Sequence, residues 1–275
     1  MEYFAIAAGI SVHISDTGRQ NASNMDKPCI LLMHGYLESM YIWSEFTDLL
    51  SEKFRVISFD MPGHGLTDSA PAGEDGCKVN GMDFCADVAC AVLDCCGVDK
   101  AVVCGHSMGG YAALQMGIRH PERCSKIVLM HSHPYPDPEE KAEDRKREIA
   151  LIYKGKLSTI ADLSIPKMYH PNNLSRLEAK IMETVELCEM HDPEGIAASI
   201  RGMQQREDTS AFLVSGSIPV MMICGDNDSF APAELREKMQ KDFPKVRFCL
   251  IADAGHNSFI EQPQETYQQL CDFIG

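Results

Sequence analysis

The stretch that decides the fold is AVVCGHSMGGYAAL, residues 101–114. It joins a short apolar run to a Gly-x-Ser-x-Gly pentad, and apolar residues at helical spacing follow. This is the strand–turn–helix context in which such a pentad forms a tight elbow around its serine. Gly105 and Gly109 lack a Cβ, so the strand and the helix can pack closely around the turn. The pattern predicts that Ser107 stands at the tip of the turn with its hydroxyl facing a cleft.

The residue after the serine supplies half of a reaction site. The backbone N–H of Met108 falls at the start of the new helix, where amide donors are unpaired and the helix dipole favours negative charge. A nucleophilic hydroxyl beside an anion-stabilising donor is the arrangement that acyl transfer needs. A pentad with three fixed residues also occurs by chance in Gly-rich loops, so an acid and then a histidine are required downstream. Asp228 and His256 stand in that order.

The length and the net charge of the chain limit the classes of protein to which it can belong. The chain has 275 residues and a formal net charge of −15, which is compatible with one large α/β domain. The negative charge disfavours nucleic acids and anionic membrane surfaces, because both would repel it. The twelve cysteines fall largely in apolar runs without Cys-x-x-Cys spacing, so we expect buried thiols in a reducing cytosol rather than disulfides or a metal site. Because no signal-peptide pattern or membrane-length apolar run is present, we expect a cytoplasmic protein.

Strand and helix patterns alternate along most of the chain. A hairpin at one sheet edge is predicted for residues 3–16, and 18–27 are predicted as a loop. Further strands are predicted at 29–33, 55–59, 127–130, 219–224 and 246–251 and in the run before the elbow, and helices at 40–52, 81–97, 232–242 and 264–273 and after the elbow to about residue 120. This alternation implies a mostly parallel sheet with helices on both faces. The candidate residues all follow strands, at the edge where such sheets carry their sites.

Residues 134–215 interrupt the alternation. Strand-like segments are almost absent there, and charge-rich helical patterns separated by prolines take their place. These patterns cover 137–154, 157–168, 175–191 and 194–205. We therefore predict a helical cap at 134–215, inserted between the core segments 1–133 and 216–275.

Four motifs in this order resemble the α/β-hydrolase fold family, in the branch of small carboxylesterases and meta-cleavage-product hydrolases. The motifs are HGY at 34–36, DMPGHG at 60–65, GHSMGG at 105–110, and GDND at 225–228 followed by GH at 255–256. The resemblance covers nearly the whole chain and implies a mostly parallel central sheet flanked by helices with an inserted helical cap. It also implies a hydrolase that needs no cofactor or metal and acts on a small-molecule acyl substrate.

The resemblance assigns Ser107 as nucleophile, His256 as base and Asp228 as the acid that orients the imidazole. The chemistry of these groups agrees, since a serine hydroxyl needs a base to accept its proton and imidazole titrates near neutral pH. The order nucleophile, acid, histidine is the one that this fold uses. Two other acids compete for the role of Asp228: Asp226 is expected in a solvated loop and Asp253 at a turn.

Two backbone amides complete the implied site. The N–H of Tyr36 follows the His-Gly pair after an early strand, and with the N–H of Met108 it would form an oxyanion hole. His34 is expected to make a structural hydrogen bond, and His106 to point away from the site. Residues 60–65 are expected to form a loop that braces the floor of the site.

Two histidines and several cap residues have open roles. His131 and His133 end one strand and could bind a metal, but no third ligand stands at suitable spacing, so pocket lining or a plain loop is preferred. Most apolar cap residues are expected to pack the cap onto the core, with a minority facing Ser107. The candidates are Met168, Tyr169, Ile181, Met182, Met190 and Met203.

Three functions are compatible with the sequence. The leading one is a serine hydrolase that cleaves small carboxylic esters through an acyl-enzyme. The second is a C–C bond hydrolase or enol-lactonase with the same triad, whose acidic substrates would require a cationic side chain in the pocket. The candidate cations are Arg145, Arg147, Lys167, Arg176 and Arg201. The third is a ligand receptor that retains the triad; the physiological substrate and the oligomeric state are not determined by the sequence.

Overall fold

An eight-stranded sheet forms the centre of the computed structural model, which describes residues 1–275. The strands are β1 Glu2–Ala7, β2 Ile10–Asp16, β3 Cys29–Met33, β4 Arg55–Phe59, β5 Ala101–His106, β6 Cys124–Met130, β7 Val220–Gly225 and β8 Arg247–Ile251. Their order is β1-β2-β4-β3-β5-β6-β7-β8. The pairs β1–β2 and β2–β4 are antiparallel, and the other neighbouring pairs are parallel. The predicted mostly parallel sheet with an edge hairpin is confirmed.

Twelve helices accompany the sheet. They are α1 Thr17–Gln20, α2 Ser44–Ser51, α3 Met82–Cys95, α4 Met108–Arg119, α5 Glu139–Ile152, α6 Leu157–Ser164, α7 Glu178–Glu189, α8 Pro193–Gln204, α9 Ser210–Ser215, α10 Ala233–Asp242, α11 Ser258–Glu261 and α12 Pro263–Ile274. Helices α3 and α4 pack on one face of the sheet, and α2, α11 and α12 pack on the other. None of the twelve combines the length and the apolar character that a membrane crossing requires.

Successive residues of the central strands face opposite layers. On β3, Leu31 belongs to the core under α3 and α4, whereas Ile30 and Leu32 belong to the core under α2 and α12. On β5, Val103 and Cys104 divide between the two cores in the same way. Because helices cover both faces, a strand in the middle of the sheet has no solvent-facing side. This is why the sequence shows continuous apolar runs here rather than alternation.

Three short helices, α1, α9 and α11, lie where no helix is predicted. Helix α9 has six residues and ends at Gly216, which adopts a left-handed backbone with φ +66°. Its Phe212 ring lies against Gly117 of α4, and Leu213 is buried. Helices of this length are not stable alone, so tertiary packing creates them and local periodicity cannot reveal them.

The segment between β6 and β7 contains α5 to α8 and no strand. These helices pack in two pairs, α5 with α8 and α6 with α7. Helix α9, at the end of the same segment, packs on α4 of the core. The division into a core and a cap at residues 134 and 216 stays a prediction.

The predicted cap contacts the predicted core closely where α8 crosses the loop after β4. A Cβ placed on Gly195 would lie 2.4 Å from the carbonyl oxygen of Gly63, far inside van der Waals contact. We therefore expect Gly195→Ala to lower the free energy of unfolding by about 1–3 kcal/mol, because backbone must shift to admit the methyl group. Urea unfolding measures this change. Gly73→Ala, at an exposed loop position, is the control and should stay within about 0.5 kcal/mol of wild type. Equal stabilities for the two variants would contradict the prediction.

A second contact between cap and core depends on a neutral histidine. His191, just after α7, accepts the N–H of Gly65 at Nδ1, while its buried Nε2 has no partner. Burial lowers the pKa of His191 to about 4. In the unfolded chain the imidazole takes up a proton near pH 6.5, so this contact stabilises the fold fully above pH 6.5 and progressively less as the pH falls to 4.

We therefore expect His191→Asn to lose less stability than wild type when the pH falls from 7 to 4.5. The amide oxygen of asparagine still accepts the Gly65 N–H but binds no proton. The difference between the two proteins should be up to about 3 kcal/mol, the full value of such a pKa difference. Urea unfolding at a series of pH values measures it. Parallel stability curves for the two proteins would show that His191 does not contribute to the acid sensitivity.

Candidate active site

The turn between β5 and α4 is an elbow with Ser107 at its tip. Ser107 has φ +49° and ψ −113°, a strained left-handed backbone that non-glycine residues rarely adopt. A Cβ on Gly105 would lie 2.2 Å from the carbonyl oxygen of Gly109, and one on Gly109 would lie 2.3 Å from that of Met33. Only glycine therefore fits at these two positions. The elbow sits directly against the end of β3.

The imidazole of His256, in the loop after β8, is bound to a carboxylate. Its Nδ1 lies 2.9 and 2.8 Å from the two carboxylate oxygens of Asp228, which follows β7. The backbone N–H groups of Phe230 and Ala231 donate to the same carboxylate. Burial alone would raise the pKa of Asp228, but the charges and hydrogen bonds of His256 and His131 outweigh it and hold the pKa well below its usual range. The acid is therefore ionised and the proton of His256 at this contact lies on Nδ1.

Ser107 and His256 line one cavity. No hydrogen bond joins the Ser107 hydroxyl to the imidazole, and such contacts are often long until a substrate binds. The Phe230 ring lies 4.7 Å from the imidazole of His256, between centroids, and shields it from one side. The structure thus brings the three predicted residues to one end of the sheet. Their catalytic roles stay predictions.

The two competing acids lie elsewhere. The carboxylate of Asp226 accepts the N–H groups of Asp253 and Ala254 and closes the turn after β8. Asp253 is exposed and has a left-handed backbone with φ +51°. Neither carboxylate bonds to His256, which agrees with the expectation that both serve the loops.

Of the two predicted oxyanion donors, Tyr36 lines the same cavity as Ser107, and Met108 directly follows Ser107 in the chain. The N–H of Tyr36 has no hydrogen-bond acceptor in the protein, and the N–H of Met108 belongs to the unpaired first turn of α4. The Tyr36 hydroxyl donates to Glu148 of α5 over 2.9 Å, which attaches this loop to the cap. The assignment of Tyr36 and Met108 as oxyanion donors stays a prediction.

The loops around the site are held by buried polar groups. His34 receives the N–H of Met61 at Nε2, and its Nδ1 lies 2.8 Å from the Gly35 carbonyl oxygen, as expected for a structural residue. The Asp60 carboxylate accepts N–H groups of Met40 and Leu66. The expected bracing by the loop at 60–65 is present.

Sequence reasoning did not find Glu38. Its buried carboxylate accepts the N–H of Gly35 at 2.7 Å and lies 2.9 Å from Nδ1 of His106. The other ring nitrogen of His106 lies 2.8 Å from the backbone oxygen of His256. Both ring nitrogens thus face acceptors, so the ring is an imidazolium. Burial alone would lower the pKa of His106, but Glu38 reverses this and raises it. The available signal was an acidic residue two positions after the HGY motif.

Glu261 is a second group that sequence reasoning missed. Its buried carboxylate accepts the N–H groups of Gly255, next to His256, and of His170 in the cap, both at 2.7 Å. The amide of Asn173 also donates to it. Because this residue binds both the cap and the loop of His256, the two cannot move independently without breaking these bonds. No spacing in the sequence indicated it.

The cavity has a volume of about 730 Å³, within the range of small-molecule sites. Of the predicted cap residues, Met168 and Met203 line it. Tyr169 and Ile181 are buried away from it, and Met182 and Met190 are exposed. The expectation that a minority of the cap residues face the site is confirmed.

One of the candidate cap cations lines the cavity. Arg145 does so, but it forms an ion pair with Asp137, which also pairs with Arg206 over 2.7 Å. The other candidates point elsewhere: Arg147 pairs with Asp144, Arg176 binds Asn173 and the Glu261 backbone, Arg201 pairs with Glu194, and Lys167 is exposed. The guanidinium that faces the cavity is therefore already paired, although it shares the single carboxylate of Asp137 with Arg206.

His131 and His133 both line the cavity, but they do not act as a pair. His131 instead bonds to Asp228, and His131, Asp228 and His256 each offer a ligand atom within 4.8 Å of the others. His133 is not part of this cluster, so the structure does not complete the pair that the sequence suggested. Hydrogen bonds at 2.8–3.0 Å account for the closeness of these atoms, so their geometry does not require a metal.

The sheet order, the elbow and the histidine loop together define the class of protein. The chain belongs to the α/β hydrolase fold family, whose model matches residues 28–169 and 196–263. The unmatched part between them, 170–195, lies within the predicted cap. The family and fold expected from the four motifs are confirmed, and the protein is a hydrolase.

Individual relatives span nearly the whole chain. It is 27% identical over 264 residues to the pimeloyl-[acyl-carrier protein] methyl ester esterase of Nitrosomonas europaea, covering 93% of this chain and 96% of the relative. It is 27% identical over 281 residues to the 2-hydroxy-6-oxononadienedioate/2-hydroxy-6-oxononatrienedioate hydrolase of Paraburkholderia phymatum, covering 97% and 91%. These are similarities and do not transfer a substrate.

Solved structures give the same picture. A thermophilic esterase from Thermogutta terrifontis, with malate bound, superposes with a TM-score of 0.88 at 26% identity, covering 100% of this chain and 98% of that one. The enol-lactonase of Burkholderia xenovorans LB400 superposes with a TM-score of 0.85 at 20% identity, covering 99% of each chain. The second likeness shows the fold alone.

Proposed function

We propose that the protein is a serine hydrolase that cleaves small carboxylic esters through an acyl-enzyme. The observation that carries this proposal is the imidazole of His256, which a buried carboxylate orients and which lines the same cavity as Ser107. A base held in one tautomer in the same cavity as a strained, half-buried serine is the arrangement that activates a hydroxyl. The relatives named as esterases support the same reaction class.

In the acylation half, Nε2 of His256 accepts the proton of the Ser107 hydroxyl as its oxygen attacks the ester carbonyl. The negative charge that develops on the carbonyl oxygen is stabilised by the N–H groups of Tyr36 and Met108. Asp228 remains ionised and stabilises the imidazolium. The imidazolium then donates its proton to the departing alkoxide, which leaves as the alcohol.

In the deacylation half, water takes the place of the alcohol. His256 accepts a proton from the water as its oxygen attacks the acyl carbonyl, and then returns that proton to Ser107. The carboxylic acid leaves and the free enzyme is restored. The protein supplies only side chains and backbone donors for both halves, so the proposal includes no cofactor and no metal.

The pairing of Arg145 favours a neutral ester over a substrate that would need this cation; the cavity is also lined by the ammonium groups of Lys141 and Lys238. The guanidinium of Arg145 is paired with Asp137, and Glu148 adds another carboxylate to the lining. A substrate carboxylate that bound the guanidinium of Arg145 would have to displace Asp137 from it. A neutral ester needs no such exchange.

The test is a series of p-nitrophenyl esters from acetate to dodecanoate, measured beside a 2-hydroxy-6-oxodienoate ring-cleavage product. We expect higher kcat/KM for an ester in the series than for the ring-cleavage product. The second candidate, a C–C bond hydrolase or enol-lactonase, rests on the position of Arg145 in the cavity. Turnover of the dienoate or of an enol-lactone above that of every ester would replace the first proposal by the second. The relatives described above are enzymes, so the receptor alternative is not carried further.

We also propose a reducing compartment such as the cytosol. All twelve cysteines are unpaired, and all but Cys77 and Cys95 are buried, as is usual for proteins that never meet an oxidising environment. Within the chain, we propose that the segments 1–133 and 216–275 carry the chemistry and that 134–215 shapes access to it.

A further inference from the structure

A second imidazole shares the carboxylate of Asp228. His131, which follows β6, places Nδ1 3.0 Å from Oδ2 of Asp228, and His256 places its own Nδ1 2.8 Å from the same oxygen. The side chains of His131 and Asp228 are completely buried. The carboxylate of Asp228, which orients the base His256, therefore accepts hydrogen bonds from two imidazoles. The second imidazole, His131, has no role in the proposed reaction.

The hydrogen bonds of His131 define its tautomer. Its Nε2 accepts the backbone N–H of Ser258 at 3.2 Å and lies 2.8 Å from the Ser258 hydroxyl. A nitrogen that accepts an N–H carries no proton, so the proton of the neutral ring lies on Nδ1 and points at Asp228. Burial lowers the pKa of His131 to about 4, against the opposing pull of Asp228, so the ring is neutral at the pH at which esters are assayed.

The backbone of His131 is held in an unfavourable conformation. Its φ is +52°, in the left-handed region. Its backbone N–H donates to the carbonyl oxygen of Ile223 at 2.7 Å. Such strain costs about 1–3 kcal/mol and persists where the surroundings require one orientation of a side chain. Leu37 and Ser107 show the same feature after β3 and β5. Residues with this strained backbone therefore follow three strands at this end of the sheet, and all three line the cavity.

We propose that His131 is a positioning residue: its Nδ1–H bond to Asp228 lowers the affinity of the Asp228–His256 pair for a proton. This inference rests on the proposed function, since it concerns the base of that reaction. A donor to a carboxylate disperses its charge. The pair then releases a proton at a lower pH than it would without this donor, and His256 stays in its basic form over a wider range.

Other titratable groups face this cluster and must stay unchanged in the test. From β5, His106 packs against both rings, with centroids 5.8 Å from His131 and 4.9 Å from His256. Glu38, from the loop after β3, is its partner. His133 lies two residues along from His131 on the cavity wall. None of these three bonds to His131, so substitutions of His131 leave their own partners in place.

The test compares two amide substitutions of His131 in the full-length protein. Asparagine places an amide N–H near the position of Nδ1, so His131→Asn retains a donor to Asp228. Glutamine reaches instead to the position of Nε2, so His131→Gln loses that donor. We expect the acid limb of the kcat/KM profile for p-nitrophenyl acetate to move up by about 0.5–1 pH unit in the Gln variant and to stay at the wild-type position in the Asn variant. The proposal would be overturned if the acid limb stayed at its wild-type pH in both variants, or if it moved by the same amount in both.

The rate at which diisopropyl fluorophosphate labels Ser107 reports the same base without any substrate. Its pH dependence should shift in the Gln variant as kcat/KM does. If Ser107 is not labelled in the wild type, the proposed function is wrong. If it is labelled but the acid limbs of His131→Gln and His131→Asn lie at the same pH, only the role of His131 is wrong. Asparagine tolerates a left-handed backbone better than glutamine, so His131→Gln is the variant more at risk of not folding. Thermal melting of both variants detects such a failure.

A measurement on the wild-type protein needs no variant at all. In ¹⁵N-histidine NMR spectra, we expect His131 to keep its proton on Nδ1 and none on Nε2 between pH 6 and 8. A protonated Nε2 in this range would exclude the proposed donor arrangement and overturn the inference even if His131→Gln did not fold.

Discussion

We expect the Ser107→Ala variant to hydrolyse p-nitrophenyl esters about 10⁶-fold more slowly than wild type, with KM little changed. The substitution removes the Ser107 hydroxyl oxygen, the only atom that can form the acyl-enzyme, while the cavity and the backbone donors remain. The residual rate then comes from water in the cavity. The left-handed backbone at this position tolerates alanine no worse than serine, so the variant should fold.

Ser229→Ala is the matched control, because Ser229 lines the same cavity but its hydroxyl donates to the Lys167 backbone. It should keep activity close to wild type. Fluorophosphonate labelling of Ser107, followed by peptide mass spectrometry, should be lost in the Ser107→Ala variant and retained in the control. Ester turnover by Ser107→Ala at the wild-type rate would remove the nucleophile assignment and the function with it.

The second large effect concerns Asp228→Asn, for which we expect kcat to fall about 10⁴-fold. Asp228 receives the Nδ1 groups of both His256 and His131. An amide offers one oxygen and one NH₂ group in place of two acceptor oxygens. One imidazole must therefore turn or change tautomer; where this is His256, its proton moves to Nε2 and the ring can no longer accept the proton of Ser107.

Asp226→Asn tests whether the correct acid has been identified. Asp226 stands two residues earlier and accepts only two backbone N–H groups of the neighbouring turn. Its replacement should leave kcat near wild type and cost about 1 kcal/mol of stability, the value of one hydrogen bond. Steady-state kinetics and urea unfolding on both variants separate the two acids. A larger kcat loss from Asp226→Asn than from Asp228→Asn would reverse the assignment.

Much of the fold could be predicted from local pattern because the responsible forces are local. The apolar run before Gly105 is buried on both faces, and the two glycines of the elbow are positions where a Cβ would strike backbone within 2.4 Å. Such constraints act between near neighbours and leave a mark in the sequence. The six-residue helix α9, by contrast, depends on Phe212 meeting Gly117 almost a hundred positions earlier. No window of sequence contains both partners.

The sequence by itself determined the hydrolase family, the mostly parallel sheet and the choice of Ser107, Asp228 and His256 as candidates. These follow from short motifs whose order along the chain is visible. Only the tertiary structure decided that Glu38 and His106 form a buried pair, that Asp137 pairs with Arg145, and that His131 binds the carboxylate of Asp228. The physical reason is that burial and pairing set the charge state of a polar group, and both depend on neighbours that lie far apart along the chain.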